Sequence, residues 1–218
     1  MYVHPAFKTD RAASLAFAAA RGFGLVVACH EGAPVASPLP FHLDFACDGT
    51  PRVAFHVARG NALATMAQAG GPWLISVMGA DAYVSPDWYA SPDQVPTWLY
   101  ETVHLSGPVR VIRDGLVEHL DTLTERFEGA LAPKAPWAAA AVTPGRKAKL
   151  MQAIVGIEMM VETVEGSVKL NQHKSDADHA AVATALLRRP DAASQAIAAR
   201  MVALRPHLDY EPVAALCD

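Results

Sequence analysis

The sequence predicts an α+β fold, an antiparallel β-barrel with helices at its margins. Three observations lead there. Short apolar and β-branched runs follow one another with turn residues between them, from Phe23 to Ala58 and again from Trp73 to Arg113. Helical periodicity is confined to the ends of these runs, so strands and helices do not alternate as a doubly wound parallel sheet requires. Neither a GxGxxG following a strand nor a GxxxxGK[ST] occurs, which removes support for the common dinucleotide and triphosphate folds.

Each element has its own signal. Thr9 is a plausible N-cap for an Ala-rich helix from Asp10 to Ala20, with Leu15 on one face beside Ala12, Ala16 and Ala19, ended by Gly22. Phe23 to Cys29 reads as a strand, Glu31-Gly32 as a turn and Val35 to Asp44 as the return strand of a hairpin. Pro38 and Pro40 cannot donate ladder hydrogen bonds, so their segment belongs at an edge, at a bulge, or where the backbone has another role. Asp48-Gly49 turns into a third strand, Arg52 to Ala58, and Asn61 caps a helix to about Ala69 that Gly70, Gly71 and Pro72 stop. Trp73 to Tyr83 is a fourth strand, and the proline-containing stretch from Ser85 to Pro96 is a loop. Thr97 to Arg113 is a long strand with a bulge or bend at Ser106-Gly107-Pro108, the kind that lets a sheet close. Asp114 caps a helix whose Leu116, Leu120, Leu123 and Phe127 form an apolar stripe facing the core. An Ala- and Pro-rich connection from Gly129 leads to Thr143-Pro144, the start of a short basic helix with Arg146, Lys147 and Lys149. Ile154 to Val164 reads as the last strand, with Glu158, Glu162 and Glu165 on a wet face. Two helices close the chain, Ser175 to Arg188 and Asp191 to Leu204, separated by Pro190.

Composition narrows the function classes. Of 218 residues, 52% are hydrophobic and 18% charged, which excludes a disordered tail and describes a folded domain. Eighteen Lys and Arg against 22 Asp and Glu leave a net charge of -4, which argues against an electropositive, non-specific nucleic-acid binder. Cys29, Cys47 and Cys217 form no CxxC pair and suggest neither a disulfide framework nor a zinc knuckle, so a reducing cytoplasm fits. The N-terminal residues carry no basic-then-apolar signal, and no run reaches the length of a membrane span; the expectation is a cytoplasmic protein with no membrane role.

Four segments carry candidate chemistry. Nine histidines are scattered without ligand spacing, so no metal is expected, and no GxSxG supports a serine nucleophile. His56-Val57-Ala58-Arg59-Gly60-Asn61 ends a strand and opens a helix, offering an arginine fork and a positive helix end, the parts of a phosphate site. On spacing alone, a solvated Arg59 and a simple Asn61 cap are the simpler reading. Trp98, Tyr100, Thr102 and His104 share one strand face by alternation, which suits either a flat ring or a core. Lys169 to Ser175 is a polar cluster leading into an N-cap, as fitting for a loop as for a site. The closing helical pair begins its second helix Asp-Ala-Ala-Ser-Gln and lacks the polar residues of a base-reading helix.

In this order the segments resemble the PaiB family of FMN-binding negative transcriptional regulators. The matching pieces are Met1, Tyr2 and Phe7; Phe23-Gly24-Leu25; Pro38-Leu39-Pro40-Phe41; His56 to Asn61; Ala82-Tyr83-Val84-Ser85-Pro86 with Trp88-Tyr89; Val95-Pro96-Thr97-Trp98 with Tyr100 and His104; and Lys169-Leu170 with Gln172. The resemblance implies an antiparallel split β-barrel with peripheral helices and a C-terminal helical pair, like that of pyridoxamine phosphate oxidase. It further implies a homodimer with FMN in the groove between subunits. On this basis residues 1–170 would be the FMN-binding domain and 171–218 a helical extension packed on the barrel. Arg59 and Asn61 become phosphate contacts beside His56 and the backbone of Val57 and Ala58, and Pro38, Leu39 and Pro40 the strand facing the isoalloxazine. Trp98, Tyr100, Lys169 and Gln172 become ring or ribityl contacts. The oxidase relatives' Ser-Arg-Lys stands here as Ala58-Arg59-Gly60, one cation fewer. The functions that follow are a regulator acting on DNA directly or through a protein partner, or a flavin-dependent oxidoreductase or flavin reductase. A third is a haem-binding barrel with His104 or His173 as ligand.

Overall fold

A computed structural model describes residues 1–210, so Cys217 lies outside the described residues. The strands are β1 (Lys8–Thr9), β2 (Phe23–His30), β3 (Ala33–Phe45), β4 (Pro51–Ala58), β5 (Pro72–Val84), β6 (Thr97–Val111), β7 (Ile154–Met160) and β8 (Thr163–Lys169). The helices are α1 (Arg11–Arg21), α2 (Ala62–Ala69), α3 (Leu116–Gly129), α4 (Pro144–Gln152), α5 (Asp176–Leu187) and α6 (Ala192–Leu204). One antiparallel sheet runs β1-β8-β6-β5-β2-β3-β4-β7, and β7 pairs a second time, with β6. That second pairing closes six strands into a barrel. No helix of the described residues is long and apolar enough to cross a membrane.

The chain divides into two compact units. One comprises Ala12–Val77 and His104–Val164 and contains the barrel. Its interior is Val26, Phe41, Val53, Phe55, Ile75, Val77, Leu105, Ile157 and Met159, all buried. The β2–β3 hairpin turns on Glu31 and Gly32 with φ of 50° and 80°, and His30 faces Ala33, so this is the two-residue turn whose twist matches the strands. Barrel closure depends on Gly107, where a Cβ would lie 1.8 Å from the carbonyl oxygen of Met160. The expected bend at Ser106-Gly107-Pro108 is therefore a point of close approach inside the continuous strand β6.

The other unit comprises Met1–Arg11, Met78–Val103 and the chain from Glu165 onward. Its core gathers Val84, Tyr89, Leu99 and Leu170 with Val182, Leu186, Ile197 and Met201 of the helical pair. Ser175 and Asp191 cap α5 and α6 through side-chain bonds to Asp178 N and Ser194 N. Buried Asp178 accepts from the backbone and hydroxyl of Ser91, each at 2.9 Å, and Arg200 grips Glu101 bidentately at 2.6 and 3.0 Å.

The structure corrects four local expectations. Thr9 belongs to β1, paired with Gly166, and α1 begins at Arg11, one residue later than expected. Gly115, in the left-handed region at φ 97°, takes the cap position of α3 in place of Asp114. The apolar stripe of α3 is not uniformly core: Leu123 is buried, Phe127 is exposed, and the other buried residue of the helix is His119. The single last strand is two, broken at Val161 and Glu162, and β7 has no wet face. Its outer side lies under α3, where Leu116 and Ile112 side chains would touch any Cβ on Gly156.

Replacing Gly107 by Ala is expected to cost about 3 kcal/mol or more, because backbone must move to admit the methyl group. Thermal unfolding of the purified variant measures this, and an unchanged midpoint would remove the close approach as the closure device.

Candidate functional site

In the barrel unit, the prolines explain where a site can form. Phe41 N donates to Gly22 O at 2.8 Å, so the odd residues of β3 turn their amides toward β2 and the even residues turn theirs the other way. Pro38 and Pro40 are even, and β3 pairs with β4 only from Phe41 onward. The missing N–H groups thus coincide with the unpaired side of β3, and Pro40 stops the β3–β4 ladder. Of the alternatives left by the sequence, the edge is the one realised. Strand β4 continues past this point on β7 alone, with His56 opposite Gly156 and Ala58 opposite Ile154.

The corner that follows is Arg59-Gly60-Asn61. Asn61 accepts from Leu63 N at 3.0 Å, capping α2, and its Nδ2 donates to Ser37 Oγ at 3.0 Å. One side chain thus ties the start of α2 to the residue before Pro38, and the structure brings Pro38, Leu39 and Pro40 together with the His56–Asn61 segment. Arg59 is exposed, but its fork is partly engaged: Nε donates to Gln152 O at 2.8 Å and Nη2 to Ile154 O at 3.1 Å. Its backbone N–H donates to Ala153 O at 2.8 Å. The guanidinium neutralises the carbonyl end of α4 and keeps Nη1 for another acceptor. A Cβ on Gly60 would meet nothing within 4 Å, so the corner is open. An open corner with an arginine, at the N-terminal end of an eight-residue helix, fits a phosphate held by one cation. Val57 is buried in the barrel and Ala58 is exposed.

The remaining predicted residues belong to the other unit. Trp98 is 54% exposed and stands edge to face with Tyr83, ring centroids 5.9 Å apart. Tyr100 is half-buried on the same strand. Lys169 donates to Thr97 Oγ1 and lies 5.7 Å from the Phe7 ring, and burial, with Lys174 nearby, lowers its pKa. Gln172 is spent on its own turn, accepting from Leu170 N at 2.7 Å and donating to Val168 O at 2.5 Å. His173 is exposed against Phe7 at 5.2 Å; His104, alone of this group, lies in the barrel unit and is half-buried on β6.

The sequence reading missed a cluster on the outer face of the barrel. His42 of β3, His56 of β4 and His119 of α3 meet there: His56 Nδ1 lies 3.0 Å from His119 Nε2, and the His42 and His119 rings are 5.0 Å apart. Beside them runs a ladder of charge across four strands. Asp44 takes Arg52 bidentately at 2.9 and 2.7 Å, and buried Glu158 accepts from Arg52 at 3.5 Å and from Arg110. The Arg52 hydrogen bonds hold the Asp44 carboxyl below the usual carboxylate range. Burial first, then the neighbouring imidazoles, pushes His119 down to about 3, and burial lowers His42 and His56. His42 Nε2 and His119 Nδ1 are buried without a hydrogen-bond partner. Among the described residues no group of three or more His, Cys, Asp or Glu is arranged to hold a metal ion. The available signal was His42 and His56 on the same parity of two paired strands; the helical partner had none.

These imidazoles bind protons less readily folded than unfolded, where histidine titrates near 6.5, so stability is complete above that pH and falls as pH drops toward 3. His119 alone accounts for on the order of 1–2 kcal/mol lost between pH 6.5 and 5. Urea midpoints across this range should show the decline, and His119→Leu should flatten it; equal slopes in both proteins would contradict the assignment.

The family model described as "Putative FMN-binding domain" matches residues 1–163. Protease synthase and sporulation protein PAI 2 of Bacillus subtilis (strain 168) is 30% identical over 181 residues, 82% of this chain and 86% of that protein. Among solved structures, the FAD and heme binding protein of Mycobacterium smegmatis aligns with a TM-score of 0.54 and 21% identity, over 74% of this chain and 72% of that one. The flavocytochrome Anf3 of Azotobacter vinelandii aligns at 0.53 and 19%, over 73% and 67%. These two likenesses establish the split-barrel fold. With the family model spanning the barrel and the sporulation protein matching most of both chains, this chain belongs to the PaiB family of FMN-binding proteins.

Proposed function

We propose that the chain binds FMN at the Arg59-Gly60-Asn61 corner and works as a homodimer, in the manner of a PaiB-type negative regulator. The observation that carries this is the Asn61 bridge, which joins the capped end of α2 to the open edge of β3 beside Pro38. In this reading Arg59 Nη1 and the Gly60 amide take the phosphate, with His56, Val57 and Ala58 leading to it and Pro38, Leu39 and Pro40 lining the edge. Exposed Trp98, with Tyr100, Lys169 and Gln172, is the set of ring or ribityl contacts that the partner subunit offers in this reading. When bound, FMN supplies reversible hydride and electron transfer. The chain's own residues bind and orient it.

The dimer reading rests on the outer face of β2. Phe23 and Leu25 are exposed there, opposite Pro40 and Pro38, and form an apolar face on the strand side away from the barrel interior. The regulatory reading is one of action through a partner or through flavin redox state. Ser194 at the start of α6 is buried, and Gln195 donates to Arg189 O at 3.0 Å, so the polar residues a base-reading helix would present are committed within the fold. The same observation favours the second reading, a flavin-dependent oxidoreductase, over direct DNA recognition.

Titration with FMN, followed by flavin fluorescence, should give saturable binding that Arg59→Ala weakens tenfold or more, the worth of one charge-assisted hydrogen-bond set. No binding by the unaltered protein removes the cofactor from this chain, and unchanged affinity in the variant removes Arg59 from the site. Light scattering after gel filtration should report a dimer that Leu25→Glu converts to a monomer; a monomeric unaltered protein overturns that part. NAD(P)H-driven flavin reduction without salt-sensitive DNA retention is the expected pairing, and DNA binding that weakens steeply with salt would reverse it.

A further inference from the structure

A second cavity of about 400 Å³ lies in the barrel unit, lined by Val117 and Leu120 of α3, Trp137 of the connection, Leu150 of α4, and Ala58 and His56 of β4. Its volume is that of a small-molecule site, and its lining is apolar apart from a few polar groups. Three large apolar side chains stand at it in the open, Val117 at 38%, Trp137 at 46% and Leu150 at 53% exposure. The 130–143 segment and α4 hold them there. Glu128 accepts from Trp137 N at 2.8 Å and from Lys134, and Thr143-Pro144 opens α4. Apolar surface of this kind, concave and rimmed by helices, is what a water-averse ligand covers.

His56 gives the cavity its chemistry. Its Nδ1 is committed to His119 Nε2 at 3.0 Å, so the polar atom left to it is Nε2. The burial that lowers the pKa of both rings keeps the pair uncharged at neutral pH, which suits an uncharged occupant better than an ionic one. The cleft surface is mostly apolar, with His56, Asp121, Thr124 and Lys147 as its polar residues, so it holds a molecule by its apolar body and orients it by a complementary polar group.

We propose that this cleft binds a neutral, flat, apolar small molecule presenting one hydrogen-bonding group to His56, separately from the flavin. His119 is a positioning residue: it holds the ring of His56 and leaves Nε2 for the ligand. The proposal rests on FMN binding at the Arg59-Gly60-Asn61 corner and not in the cleft.

The probe is N-phenyl-1-naphthylamine, neutral and apolar with one N–H, added to the protein as purified with its flavin. The expected result is saturable binding of one probe per chain, with energy transfer from tryptophan that falls sharply in Trp137→Phe while directly excited probe fluorescence persists. Val117→Asp on α3 and Leu150→Asp on α4, both at exposed positions, should each weaken binding at least tenfold without changing flavin content. His56→Leu should weaken it about fivefold, the worth of one neutral hydrogen bond. His119→Leu should cancel the contribution of His56, so that the His56→Leu, His119→Leu double variant binds the probe no more weakly than His119→Leu alone; additive losses would remove the positioning role. Non-saturable binding, binding indifferent to both aspartate variants, or release of flavin in step with probe uptake would each overturn the second site.

Discussion

The approach of β6 to β7 at Gly107 is the constraint on which the barrel unit depends. With the Gly107 Cα carrying no side chain, the backbone of Met160 can lie against it, and Val109, Arg110 and Val111 pair with Met159, Glu158 and Ile157. That pairing returns the sheet to β6 and leaves β7 paired on both sides. It also fixes β7, which among the described residues is the only strand that carries β4 beyond the proline edge to Ala58. The Arg59-Gly60-Asn61 corner is thus set in place by a contact between residues far from it in sequence.

The same closure explains why polar groups are buried outside the barrel. Glu158 and His56 alternate with interior residues and would face water on an uncovered strand. Helix α3 covers them. Desolvation of a carboxylate is costly unless it is paired, and Glu158 is held by Arg52 and Arg110. The histidines take the other solution available to a titratable group under cover, which is to stay neutral. Charge is therefore retained at one end of the face and given up at the other.

What was legible in the sequence was what neighbouring residues decide among themselves. Glu31-Gly32, Asn61 and Ser175 are local devices whose physics needs no distant partner, and each is found where it was expected. The family resemblance brought the fold and the flavin, because motifs in a fixed order carry information that periodicity does not. Features settled by long-range packing were not legible. The stripe on α3 was read as core because Leu116, Leu120 and Phe127 repeat correctly, yet the helix buries His119, selected by the imidazoles of two strands. Glu158 and Glu162 look alike in a list of acidic residues; one is on a covered strand and the other in the break between β7 and β8. Arg59 offered a fork, but its engagement with Gln152 and Ile154 needs the fold.

That engagement bears on how the corner can act. A free arginine side chain loses rotamer entropy when it binds an anion, of the order of 2 kcal/mol. Arg59 has already lost most of it to two carbonyl oxygens, so a phosphate meeting Nη1 meets a donor in a fixed place. Fixing the fork in this way partly compensates for having one cation where the oxidase relatives have two. The carbonyls that hold Arg59 belong to the turn from α4 into β7, whose Ala153 and Ile154 line the apolar cleft. Ala58, next to Arg59, lines it too. The Arg59-Gly60-Asn61 corner, proposed for the phosphate, and the cleft are therefore two sides of one short piece of backbone.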